Sequence, residues 1–94
     1  MPMLPDCKSY FNGLAAEWDG RMVIQPALLS AVAFFAGARP GVRALDIACG
    51  TGVTFDYLLA QGVESLTAID ISDEMARIAQ AKYAHDSRVT VLTG

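Results

Sequence analysis

The sequence predicts an α/β protein built on a small parallel sheet, and three observations carry that prediction. Short apolar stretches near 42–48, 65–70 and 88–92 alternate with stretches of helical periodicity. That alternation is the pattern of parallel strands joined by right-handed helical crossovers. Ala44-Leu45-Asp46-Ile47-Ala48-Cys49-Gly50-Thr51-Gly52-Val53 reads as a short buried strand that ends in a glycine turn and opens a helix. Asp70 closes the second strand 20 residues after Gly50. This sets an acid beside the first turn at the carboxyl end of the sheet, where open α/β sheets bind ligands.

With 94 residues, the chain forms one small domain. Residues 1–41 are expected to make a helical cover, and residues 42–94 a β-α-β-α-β unit. Yet 53% of the residues are hydrophobic and mean hydropathy is +0.35. A chain this short buries only roughly 60–65% of its unfolded surface, so apolar surface should be left over. Net charge is −3 and the pI about 4.8, which argues against nucleic acid as a partner. Cys7 and Cys49 form no metal-ligand cluster, so no metal site is expected. They read as free thiols in a reducing cytoplasm.

Along the chain, Met1–Pro5 with its two prolines reads as a loose end. Tyr10, Phe11, Leu14, Ala15 and Trp18 then recur at helical steps from Asp6 to Trp18. Asp6 caps this helix, and Asp19-Gly20 is expected to stop it. Its aromatic face packs against the domain, or forms a lid in which Trp18 and Tyr10 line a pocket. The stretch Met22–Ala38 carries no charge, but it contains Gln25, Pro26 and Ser30 and is too short for a membrane span. It is expected to be a well-buried soluble helix after Pro26, with Leu28, Leu29, Val32, Phe35 and Ala36 as its apolar stripe.

The strand at Val42–Ala48 and the glycine turn follow. Thr54–Gln61 is a helix that Gly62 terminates. Ser65–Asp70 is the second strand. Ser72 caps a helix that runs to about Ala84 and carries Asp73 and Glu74 in its first turn. Arg88–Leu92 is the third strand. His85, the lone histidine, reads as a surface residue.

Gly50, Gly52, the following helix and Asp70 converge on one site. The spacing lets the Asp70 carboxylate accept both hydroxyls of a ribose. Asp46 lies inside an apolar strand, where it either holds the loop's backbone amides or meets a ligand ammonium. Cys49 is a buried filler, with no basic neighbour in sequence to lower its pKa. A dinucleotide fingerprint would place a third glycine where this chain has Phe55. That weakens a nicotinamide-dependent oxidoreductase reading.

The residues ALDIACGTG followed by AIDISDEMARIAQAK resemble the first two motifs of class I S-adenosylmethionine-dependent methyltransferases. YFNGLAAEWDG resembles the N-terminal helix of their small-molecule members. The resemblance runs from about Tyr10 to Leu92. It implies a partial Rossmann-like methyltransferase sheet in strand order 3-2-1 with two N-terminal helices, and S-adenosyl-L-methionine as the cofactor. Asp46, Ala48, Cys49, Gly50 and Gly52 then fall in the loop that wraps the methionine part. Asp70 matches the ribose-binding acid, and Ile71 and Met75 positions that flank the adenine or its ribose. Trp18 and Arg21 fall where the N-terminal segment closes over the cofactor. Ala48 stands where the family often has glycine.

In the family the sheet order is 3-2-1-4-5-7-6, so this chain is expected to be the N-terminal half of such a domain and inactive alone. The methyl acceptor is expected to be a small molecule, and no catalytic residue is assigned. A non-catalytic cofactor-binding or scaffold module is the alternative. The free edge at Val42–Ala48 invites pairing with a second copy, so a homodimer is expected.

Overall fold

The computed structural model describes residues 6–94; the expectation for Met1–Pro5 lies outside the described residues. Four helices and three strands follow one another as α1 (Cys7–Arg21), α2 (Pro26–Phe35), β1 (Arg43–Ile47), α3 (Phe55–Ala60), β2 (Ser65–Asp70), α4 (Asp73–Lys82) and β3 (Val89–Thr93). The strands pair in the order β1-β2-β3, which is 3-2-1 read from the other edge. Both pairings are parallel, with Ala44 opposite Leu66 and Ala68 opposite Val91. The α/β class and strand order expected from the sequence are therefore present.

Register divides the sheet into two unlike faces. Ala44, Leu66, Ala68 and Val91 share one face. They pack with Phe55, Ala76 and Ala79 from α3 and α4, and with Cys49. Phe55 and Leu66 are fully buried, and each such side chain contributes roughly 1.5–3 kcal/mol by leaving water. The other face carries Leu45, Ile47 and Leu92, which are 65%, 72% and 47% exposed. The strand expected to be buried is thus covered on one side only, because α3 and α4 pack on the opposite face. The apolar surplus in the composition is found on this bare face and on α2.

The second helix corrects the sequence reading. Leu28, Val32 and Phe35, expected to form its buried stripe, are 57%, 50% and 84% exposed. Only Ala33 is buried, in a small cluster with Ala38 and Val63 that also touches Leu58 and Leu59. The apolar run is real, but no element among the described residues packs against most of it. The first helix corrects another expectation. It passes through Asp19-Gly20 to Arg21, and Met22 closes it by donating to the Trp18 carbonyl at 3.1 Å. Gly20 keeps helical geometry, and an exposed Glu17–Arg21 ion pair at 2.7 Å spans the last turn.

Other local readings hold. The Asp6 carboxylate accepts the Ser9 amide at 2.8 Å, and Ser72 caps α4 by accepting the Met75 amide at 3.1 Å. Gly62 adopts φ +80, the left-handed conformation of a helix-terminating residue. Helix α4 stops at Lys82, with Tyr83 as its cap, two residues short of the expected end. Strand β3 is shifted by one residue, and His85 is exposed. Among the described residues no helix is long and apolar enough to cross a membrane.

Candidate functional site

At the carboxyl ends of β1 and β2 lies a cavity of about 320 Å³ lined by Phe11, Trp18, Ala48, Gly50, Asp70, Ile71 and Met75. The first turn leaves β1 through Ala48, at φ +61, and Gly50, at φ +59. Ala48 is the one non-glycine residue at positive φ among the described residues, a conformation that costs an L-residue roughly 1–2 kcal/mol. A Cβ built on Gly50 would meet no atom of the described residues beyond its chain neighbours within 4 Å. Gly50 thus borders the open space of the cavity, and its φ of +59 by itself favours glycine.

Gly52 is glycine for a different reason. A Cβ there would lie 2.8 Å from two ring carbons of Phe55, and Phe55 is fully buried. The ring that replaces the third glycine of a dinucleotide fingerprint thus packs against the second. Gly52 supports the turn from behind and does not line the cavity.

Asp70 joins the two strand ends. Its Oδ2 accepts the Gly50 amide at 2.7 Å, and its Oδ1 accepts the Ser72 amide at 2.8 Å. The residue is 8% exposed. Each carboxylate oxygen keeps a further acceptor position, so the side chain can fix both turns and still receive hydroxyl donors from the cavity. Asp46, left open between two roles in the sequence, takes neither within this structure. Its Oδ2 accepts the Thr54 hydroxyl at 2.6 Å. It borders a separate, smaller cavity of about 170 Å³ beneath α2, with Leu29, Val32 and Leu58.

Cys49 points into the core. Burial pushes its thiol up to about 12, and the nearby charges of Asp46 and Asp70 add to the shift. The thiol stays protonated at neutral pH and is no nucleophile. Of the ten residues singled out in the sequence, Trp18, Ala48, Gly50, Asp70, Ile71 and Met75 meet around the cavity. Asp46, Cys49 and Gly52 shape the turn behind it. Arg21 lies at the end of α1, paired with Glu17, and is not on the wall. Tyr10, expected in a lid, is 51% exposed and only braces Phe11 edge-to-face at 5.3 Å.

Phe11 is the lining residue that sequence reasoning assigned only to a packing face. It stands two helical turns before Trp18, and the two rings meet edge-to-face at 5.9 Å. That seven-residue spacing was the available signal.

A sequence profile described as "Methyltransferase domain" matches residues 44–94, more than half of the chain. The chain belongs to this methyltransferase domain family. Among solved structures, this methyltransferase domain is similar to DhpI, determined as a complex with S-adenosylhomocysteine, at 28% identity and a TM-score of 0.70 over 92% of this chain and 42% of that one. It is also similar to a SAM-dependent methyltransferase from Geobacter sulfurreducens in complex with S-adenosyl-L-homocysteine, at 24% identity and a TM-score of 0.69 over 100% of this chain and 38% of that one. The 23S rRNA methyltransferase ErmE matches at 18% identity and a TM-score of 0.67, over 77% of this chain and 29% of that one. The chain thus spans well under half the length of these structures. No curated protein sequence matches it significantly.

Proposed function

We propose that this chain is the S-adenosylmethionine-binding portion of a methyltransferase. The observation that carries the reading is Asp70, which faces the cavity while tying the glycine turn to the head of α4. Family membership and the S-adenosylhomocysteine complexes of DhpI and the Geobacter sulfurreducens protein support it. Bound in this cavity, the cofactor would supply an activated methyl group on its sulfonium. The chain's own residues bind and orient. Asp70 offers acceptor positions to ribose hydroxyls, Gly50 leaves room for close approach, and Phe11, Trp18, Ile71 and Met75 form an apolar wall that excludes water.

Among the described residues Asp70 is the one titratable residue lining the cavity, and it is occupied by two amides. We therefore assign no general base. Methyl displacement depends chiefly on positioning, and these 94 residues alone are proposed to bind without turnover. Residues 42–94 form the cofactor-binding unit and the helices before it the cover. The acceptor is proposed to be a small molecule, and the compartment the cytoplasm, consistent with two free cysteines.

Calorimetric titration with S-adenosylhomocysteine, S-adenosylmethionine and NAD tests the reading. The first two are expected to bind, and Asp70→Ala to weaken them at least about tenfold, or about 1.4 kcal/mol. Binding of NAD alone would overturn the choice of cofactor. Binding of none would leave a scaffold module.

The edge of β1 supports one further part of the proposal, that two copies pair there. Among the described residues its backbone has no neighbouring strand on one side, and Leu45 and Ile47 stand exposed on it. Light scattering should then give about twice the 10.0 kDa chain mass; a monomer at all concentrations would exclude pairing.

A further inference from the structure

Each aromatic residue that α1 contributes to the cavity is followed by a polar side chain fastened to the cavity's other walls. After Phe11 comes Asn12. Its Oδ1 accepts the Ser72 hydroxyl at 2.5 Å and the Glu74 amide at 3.2 Å. It thereby extends the cap of α4 beside Asp70 and Ile71. After Trp18 comes Asp19. Its Oδ1 accepts the Thr51 hydroxyl at 2.5 Å, and its Oδ2 accepts Lys82 Nζ at 3.0 Å.

Thr51 lies between Gly50 and Gly52 and is fully buried, so Asp19 grips the centre of the glycine turn from a helix 32 residues earlier. Burial acts to raise the Asp19 carboxyl, but the Thr51 hydroxyl and the Lys82 ammonium outweigh it and hold the group below its ordinary value. One further exposed pair, Lys8–Asp73 at 3.1 Å, joins α1 to the first turn of α4.

We propose that Asn12 and Asp19 are positioning residues: they clamp α1 at two points, one on each strand-to-helix turn, and so hold Phe11 and Trp18 as a fixed wall of the cavity. Helix α1 is then not a lid free to open about its end. The function of the clamp as a binding device rests on the cofactor reading above, whereas its mechanical part does not. The helix and the glycine turn form one unit, so any ligand that moves Thr51 also moves Trp18. A buried hydroxyl that loses its acceptor leaves an unpaired polar group, and the turn then shifts to find another partner.

Trp18 is the only tryptophan of the chain, which makes its fluorescence a direct readout. Acrylamide quenching of the unliganded protein is measured for wild type, Asp19→Ala, Thr51→Val and the double variant. Asp19→Asn and Thr51→Ser serve as conservative rescues that keep the hydroxyl–oxygen contact. Quenching is expected to rise in Asp19→Ala and Thr51→Val and to return to near the wild-type level in both rescues.

S-adenosylhomocysteine affinity is expected to fall about tenfold in each disrupting variant. The double variant should fall no further than the worse single, as for two residues sharing one interaction. Asp19 is exposed, so its loss should leave a cooperative melt even if Thr51→Val does not. Wild-type quenching and affinity in Asp19→Ala would overturn the clamp, as would fully additive losses in the double variant. If wild type does not bind S-adenosylhomocysteine, the cofactor reading fails by itself, and the quenching series still decides whether the clamp exists.

Discussion

Two strand-to-helix turns flank the cavity, and they solve the same problem with different chemistry. The turn from β1 to α3 bends by its backbone: Ala48, Gly50 and Gly52 all take positive φ. The turn from β2 to α4 contains no glycine and no positive φ. It bends around side chains, with Asp70 accepting the Ser72 amide and Ser72 capping Met75. The first turn depends on a partner for its own stability, since the Gly50 amide is held by Asp70 from the second. A turn made of backbone freedom leaves open space for a ligand, and a turn made of carboxylate and hydroxyl supplies the acceptors.

The largest expected effect separates the two glycines of the first turn. Gly52→Ala places a methyl 2.8 Å from the buried Phe55 ring at φ +85. Overpacking and left-handed strain together should cost about 3 kcal/mol, lowering Tm by roughly 12–24 °C in a domain of this size. Gly50→Ala carries the strain of φ +59 but no clash and should cost about 1 kcal/mol. Its methyl instead projects into the cavity and should weaken S-adenosylhomocysteine binding. Thermal melts and titration of the two variants decide it. Equal losses of stability would mean that both glycines serve packing and that the cavity has no claim on Gly50.

What was legible in the sequence follows the same division. The glycine turn and Asp70 could be read because their geometry is fixed by short-range signals: a strand, a turn, a helix and a 20-residue return. The caps Asp6 and Ser72 are legible for the same reason. Asn12 and Asp19 were not, since the partners of Asn12 lie 60 and 62 residues away and those of Asp19 lie 32 and 63 away, and are set by how α1 lies on α4. Asp19-Gly20 reads locally as a helix stop, whereas α1 continues through both residues to Arg21. The most hydrophobic stretch, α2, misled in the other direction. Hydropathy states what a helix would gain by burial, and only a neighbouring element decides whether it is buried.

A middling effect is expected at the second turn. The Ser72 hydroxyl accepts from Met75 and donates to Asn12, and the residue is fully buried. Ser72→Ala therefore removes a cap and leaves Asn12 with the Glu74 amide alone. The loss should be about 1–2 kcal/mol, read from denaturant unfolding with an unchanged slope. Ser72→Thr keeps the hydroxyl and should recover part of it. A loss under a few tenths of a kcal/mol would show that the second turn does not depend on its side chains, and the contrast with the first would collapse.

The smallest effect is the most discriminating. Ala48 sits at φ +61 with its residue on the cavity wall, so the strain there has no compensating core contact that the burial pattern shows. Ala48→Gly removes about 1 kcal/mol or more of left-handed strain, and the freer unfolded chain takes back about 0.4–1 kcal/mol. The net should be a stabilisation of about 0.5 kcal/mol, seen as a higher urea midpoint. Backbone strain of this kind gathers where a site must hold a set shape. If Ala48→Gly is more stable and also binds S-adenosylhomocysteine less tightly, the methyl belongs to the cavity, and the first turn carries both its open space and one fixed contact. If the variant is less stable by 1 kcal/mol or so, the methyl packs against the turn itself, and that contact offsets the strain of its positive φ.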